Sequence, residues 1–241
     1  MNKENYPGFS SKDSFYKIHK QKTLIKAIIF DMDGTLIDST ESDYIAWKKV
    51  FSEYNVNFTH EEYIRILGVK SAEVIKSRLN LEQGELENML KRKIAYFKEI
   101  VDEEGLRTIP HVESFLQRIK NIPLKVGLAT GSRKEKLSLV FEKLKLKNYF
   151  DVLVSGDEVS KGKPDPEIFL KATEKLRVLP TECVVVEDAE NGVMAAKNAN
   201  MNCIAITTTT GRKSLKAADL IIDSFENLDV YEVLKKLGRS C

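Results

Sequence analysis

An α/β fold, in which a doubly wound parallel sheet carries a small inserted α-helical cap, is the class this sequence predicts, and three observations predict it. The apolar run Ala27-Ile28-Ile29-Phe30 is too short for an independent helix and stops abruptly at Asp31-Met32-Asp33-Gly34-Thr35. That pattern reads as a buried strand delivering acids to its carboxyl end, where open α/β sheets bind their ligands. From Ser39 to about Thr108 the chain is rich in Glu, Lys and Leu at helical spacing, with almost no β-run. From Pro110 onward, short β-runs alternate with helical stretches, as right-handed crossovers of a Rossmann-like sheet require.

In chain order, residues 1–23 are polar, contain Pro7-Gly8 and show no sustained apolar period; they read as an N-terminal extension without assigned chemistry. Residues 24–38 and 109–241 are expected to form the α/β core, and 39–108 the cap, with hinges near Ile37 to Ser42 and Glu103 to Pro110. Within the cap, Thr59-His60-Glu61-Glu62 has the form of a capping box, and Leu81 to Val101 carries apolar residues at helical intervals. The core then continues with a helix at about 110–120, a strand at 124–129, a helix at 133–146 and a strand at 152–155. A helix from near Pro166, strands at 183–186 and 203–207 with a helix over 189–198 between them, a strand at 220–222 and a C-terminal helix complete it.

Composition excludes several classes of function. With 38 basic and 36 acidic residues interspersed, the net charge of +2 offers no polyanion-binding surface, so no nucleic-acid partner is expected. No apolar stretch reaches membrane-spanning length and no signal-peptide core opens the chain; a cytoplasmic monomer without a membrane partner is expected. Cys183, Cys203 and Cys241 have no metal spacing, and two of them sit inside apolar runs as small core residues. His19, His60 and His111 lie outside every motif, which argues against a histidine relay or a histidine zinc site.

The chemistry collects at strand ends. Asp31 and Asp33 reach one pocket if the chain turns at Gly34, and two carboxylates held close call for a cation or a shared proton. The strand at Val126–Ala129 runs into Thr130-Gly131-Ser132, and Ser132-Arg133-Lys134-Glu135 has the form of a second capping box; such a connection presents donors to an anion. In Lys161-Gly162-Lys163-Pro164-Asp165-Pro166, Asp165 is an expected N-cap and Lys163 a compact positive charge beside the acids. Cys183-Val184-Val185-Val186 ends in Glu187-Asp188, and beside Asp31 and Asp33 these acids make a hard oxygen site suited to Mg²⁺.

These four motifs, in this order and spacing from Asp31 to Asp188, resemble those of the haloacid-dehalogenase superfamily. The helical insert after the first motif is similar to the subgroup that holds the β-phosphoglucomutases and the sugar-phosphate and phosphoglycolate phosphatases. The resemblance implies that Asp31 forms an aspartyl-phosphate and that Asp33 protonates the leaving oxygen and then activates water. It implies that Thr130, Gly131, Ser132 and Lys163 hold the phosphoryl group. It also implies that Mg²⁺ sits on Asp31, the backbone carbonyl of Asp33 and Asp188, with Glu187 assisting.

An Asp at position 33, absent from the family's dehalogenases and phosphonatases, favours phosphate esters. Family mutases use a His twelve residues after the nucleophile and a cap Arg after a Gly-Val pair. Here those places hold Asp43 and, after Gly68-Val69, Lys70 and Ser71. Lys70, Arg92, Lys93 and Asp43 are therefore candidate substrate contacts, with solvated helix surface as the alternative for the three basic residues. A Mg²⁺-dependent phosphatase acting on a small phosphorylated metabolite, such as a sugar phosphate, is the leading expectation. A β-phosphoglucomutase-like mutase and a catalytically silent binding protein are the alternatives.

Overall fold

The computed structural model describes residues 24–238. The polar extension at 1–23 and Cys241 lie outside them. In chain order the elements are β1 (Ala27–Phe30), β2 (Ile37–Asp38), α1 (Thr40–Ser52), α2 (His60–Arg65), α3 (Ser71–Lys76), α4 (Gln83–Glu104) and β3 (Arg107–Thr108). They continue with α5 (Val112–Lys120), β4 (Lys125–Ala129), α6 (Lys134–Leu144), β5 (Val152–Val154), α7 (Glu167–Leu176), β6 (Cys183–Glu187), α8 (Glu190–Asn198), β7 (Asn202–Ile206), β8 (Leu220–Ile222) and α9 (Val230–Leu237).

Six parallel strands stand in the order β5-β4-β1-β6-β7-β8. β1 is central, with Ile28 opposite Val126 of β4 on one side and Val184 of β6 on the other. The chain winds outward from β1 in one direction through β4 and β5 and then in the other through β6 to β8, leaving a crevice at the carboxyl ends of the middle strands. Alternation along β1 sends Ile28 and Phe30 to a core with Phe115, Leu116, Val140 and Leu237. Ala27 and Ile29 face the other layer, with Phe169, Ala172, Leu176, Val193 and Ala196. Each fully buried Ile or Phe contributes roughly 1.5–3 kcal/mol, so β1 is fixed from both faces. Cys183 and Cys203 are buried free thiols in the second layer, as their apolar context predicts.

Helices α1 to α4 form the inserted cap around Trp47, Val50, Phe51, Phe58 and Met89. The expected capping box is present: Thr59 N–H donates to Glu62 Oε2 at 2.8 Å, and Glu62 N–H donates to Thr59 Oγ1 at 3.3 Å. One feature differs from the sequence reading. The two chain crossings between sheet and cap pair as an antiparallel ribbon, with Ile37 opposite Thr108 and Asp38 opposite Arg107. Two residues per strand are too few for an alternation to show.

Two helix starts are also corrected. Ser132 caps nothing: α6 has Arg133 at its N-cap, and Asp157 Oδ2 accepts the Lys134 N–H at 2.8 Å. The Ser132 hydroxyl instead donates to Asp33 Oδ2 at 2.7 Å, a side-chain acceptor that competes with the helix N–H groups. At α7 the N-cap is Pro166 rather than Asp165, and Asp165 Oδ1 accepts the Glu167 N–H at 3.0 Å from one residue further out. Among the described residues, no helix is long and apolar enough to cross a membrane.

Candidate active site

The acids and hydroxyls that the sheet brings to the site are delivered by strand ends. Asp31 follows β1 and donates its backbone N–H to Val186 O at 2.9 Å, which fixes the acid between β1 and β6. The chain then turns at Gly34 (φ +78°), where a Cβ would lie 2.2 Å from Asp188 Oδ2; only glycine allows the turn to pass beneath that acid. Thr130, Gly131 and Ser132 follow β4, and Glu187 and Asp188 end β6. These groups meet beneath the cap at a small cavity of about 40 Å³, lined by Asp31, Asp33, Thr130, Gly131, Ser132 and Asp188 from the core. Asp43, Trp47, Tyr63, Gly68, Ser71 and Lys93 close it from the cap.

Lys163 reaches the site from the loop before α7. Its ammonium donates to Asp31 Oδ1 at 2.5 Å and to Glu187 Oε1 at 2.6 Å, with the side chain wholly buried over the Phe169 ring. Burial pushes Asp31 up to about 7; the Lys163 charge pulls against this, and the Glu187 and Asp33 carboxylates add to it. Asp188 is pushed well above the carboxylate range by burial and by the charges of Glu187 and Asp31, although the Thr209 and Thr35 hydroxyls donate to it. Ligand oxygens of Asp31, Glu187 and Asp188 lie within 4.8 Å of one another. Three hard oxygen donors whose mutual repulsion a single ammonium only partly relieves are a chemical fit for a divalent cation such as Mg²⁺. Glu187 is the least available of the three. Its Oε1 is held by Lys163, and its Oε2 accepts the backbone N–H groups of Asp188 and Ala189 at 2.8 and 2.9 Å.

Of the four cap candidates, the structure brings two to the cavity and leaves two outside it. Asp43 and Lys93 are buried there, with Lys93 Nζ donating to Asp43 Oδ1 at 2.5 Å and lying 4.8 Å from the Trp47 ring centre. Arg92 points away: its Nε donates to Glu53 Oε2 at 2.6 Å and its Nη2 to the Tyr54 hydroxyl at 2.7 Å. On a helix, successive residues are about 100° apart, so only one of the pair can face the site. Lys70 also leaves, donating to Val159 O at 2.5 Å, while its neighbours Val69 and Ser71 line the cavity.

Sequence reasoning missed Lys136. Its buried ammonium donates to Asp33 Oδ1 at 2.7 Å and to Asp43 Oδ1 at 2.5 Å, 4.4 Å from the Phe97 ring centre. Burial disfavours that charge, but Asp33 and Asp43 outweigh it and keep the ammonium protonated. Asp43 in turn is held below the usual carboxylate range by Lys136 and Lys93, against the opposing effect of burial. A signal for Lys136 existed: it stands four residues before Val140, on the inward stripe of α6. Ser39 was also missed, and its hydroxyl donates to Asp33 Oδ1 at 2.5 Å.

Residues 28–206 match the family model described as "Haloacid dehalogenase-like hydrolase". The chain belongs to this family. It is 37% identical over 219 residues to the "Phosphorylated carbohydrates phosphatase" of Thermotoga maritima, covering 88% of this chain and 100% of the relative. It is 32% identical to the "Beta-phosphoglucomutase" of Bacillus subtilis, covering 85% of this chain and 92% of that one. Among solved structures, the β-phosphoglucomutase of Clostridium difficile superposes with a TM-score of 0.79 at 27% identity, over 89% of this chain and 97% of that one. This member of the haloacid dehalogenase-like hydrolases is thus an enzyme whose relatives include both phosphatases and phosphomutases.

Proposed function

We propose that the protein is a Mg²⁺-dependent phosphatase that hydrolyses the phosphate monoester of a small neutral metabolite, a sugar phosphate in the first place. The observation that carries this reading is the convergence of Asp31, Asp33, Thr130 and Asp188 on one cavity shut by a cap, with Lys163 bonded to Asp31. An Asp31 carboxylate oxygen attacks phosphorus; the bond from phosphorus to the ester oxygen breaks, and that oxygen takes a proton from the Asp33 carboxyl as the alcohol leaves. A water oxygen then attacks the same phosphorus and gives its proton to Asp33. The bond to Asp31 breaks, inorganic phosphate departs and both acids regain their starting states. A carboxylate nucleophile divides one hard displacement into two easier ones. Lys163 orients Asp31 and balances phosphoryl charge, while Thr130 and the loop at Gly131 and Ser132 supply hydrogen-bond donors. Asp31, Asp188 and the Asp33 carbonyl would hold Mg²⁺, which when bound supplies the charge that lets an anionic nucleophile approach an anionic ester.

Hydrolysis is favoured over mutation by the charge inventory of the cap. Lys93 is paired with Asp43, Lys136 with Asp33 and Asp43, and Lys70 lies outside the cavity. Among the described residues of the cavity, each ammonium already faces a carboxylate, so none is an uncompensated positive charge for a second phosphate. The test is a panel of phosphorylated metabolites scored for phosphate release with Mg²⁺ and with chelator, beside a coupled mutase assay. Sugar monophosphates are expected to release phosphate, and chelation to abolish it. Conversion of β-glucose 1-phosphate to glucose 6-phosphate that depends on glucose 1,6-bisphosphate and outpaces any hydrolysis would overturn the reading in favour of a mutase.

A further inference from the structure

Asp33 stands at the foot of a buried charge network that joins the core to the cap. Among the described residues, Asp33 Oδ1 accepts from two donors, Ser39 Oγ at 2.5 Å and Lys136 Nζ at 2.7 Å, whereas Oδ2 accepts from one, Ser132 Oγ at 2.7 Å. A carboxylate has about four acceptor positions, two on each oxygen, so Oδ1 is filled and Oδ2 keeps one free. Lys136 does not act alone. Its second bond runs to Asp43 on the cap at 2.5 Å, and Asp43 is shared with Lys93. The ammonium therefore has a carboxylate of the core on one side and a carboxylate of the cap on the other.

We propose that Lys136 is a positioning residue of the reaction: held by Asp43 of the closed cap, it fills Oδ1 of Asp33 and so presents Oδ2 to the leaving oxygen. The inference rests on the phosphatase reading above and adds to it the residue that orients the proton donor. A lysine suits the task because three donors on one tetrahedral centre can serve two carboxylates that approach from different domains. The same arrangement ties the donor's orientation to the cap, since Asp43 stands on α1 and Lys136 on α6.

The proposal separates from a merely structural role through the leaving group. An alkyl phosphate expels a strongly basic alkoxide and needs the Asp33 proton in the first step, whereas p-nitrophenyl phosphate expels a stable phenolate and does not. The quantity to compare is kcat/KM, which covers only the steps up to leaving-group departure and excludes the later attack of water. For Lys136→Met, kcat/KM for the sugar phosphate turned over fastest in the screen is expected to fall roughly 10²-fold, and that for p-nitrophenyl phosphate by no more than about threefold.

Asp43→Asn, which leaves Lys136 in place but loosens it, is expected to show the same selectivity at about a tenfold loss; combining the two substitutions is expected to add nothing to Lys136→Met. Asp43→Asn also keeps the idea testable if Lys136→Met fails to fold. Equal losses on both esters, no loss on either, or losses that multiply in the double variant would each overturn the assignment of Lys136. Wild-type protein inert toward every ester would instead sink the phosphatase reading itself.

Discussion

Asp31→Asn is expected to lower phosphate release by roughly 10⁴-fold or more, because an amide oxygen cannot form the acyl phosphate and no neighbouring group can take its place. The substitution is isosteric, and its effect on stability should be small. Burial already pushes Asp31 up to about 7, so the charged form gains little from this environment, and Lys163 keeps Glu187 as a partner at 2.6 Å. Phosphate release measured beside a thermal melt checks both halves. An Asp31→Asn enzyme with unimpaired turnover refutes the nucleophile assignment, while one that loses activity only because it unfolds leaves the nucleophile role to be read from trapping of the phosphorylated wild-type enzyme.

Lys163→Met is expected to fail in a different way, losing both activity and stability. The ammonium is wholly buried between Asp31 and Glu187, so its removal leaves two close carboxylates without their shared counter-charge, next to Asp188. Breaking a buried pair by deleting one partner costs roughly 3–5 kcal/mol, far more than deleting an exposed ion pair. Denaturant unfolding reads this directly. Adding Glu187→Gln to Lys163→Met should recover part of the loss, since it removes one of the orphaned charges. An unfolding midpoint unchanged by Lys163→Met would show that the buried acids are neutralised by something other than this lysine.

The fold was legible because its strands are short unbroken apolar runs ending in polar chemistry. β1 buries Ile28 and Phe30 on one face and Ala27 and Ile29 on the other, and Asp31 directly after Phe30 marks where the strand stops being core. The core of the site was legible for the same reason, since each of its acids and its hydroxyl stands at a strand's last residue or just beyond. The cap was harder. Arg92 and Lys93 are adjacent and chemically alike, and the choice between them depends on helix register. The register could have been fixed: Leu86, Met89, Leu90, Phe97 and Ile100 make a buried stripe on α4, and Lys93 falls inside it, four residues from Met89 and from Phe97.

Lys136 was overlooked because it sits in Arg133-Lys134-Glu135-Lys136, where charge reads as surface until the phase with Val140 is counted. Ser132 was misassigned for a physical reason too. A serine before a helix has two suitors, the helix N–H groups and any nearby carboxylate, and sequence shows only the first.

The ribbon of β2 and β3 has a consequence for how such enzymes diversify. Because Asp38 and Arg107 are direct partners in a ladder, the two points where the cap's chain leaves and rejoins the sheet are only one strand spacing apart, about 5 Å. Such a gap is one that a two-residue hairpin turn bridges. The segment between those two points can thus vary in length and chemistry as a unit, a different lid on the same sheet, provided that Ser39 and Asp43, which reach Asp33 directly or through Lys136, keep their places at its start.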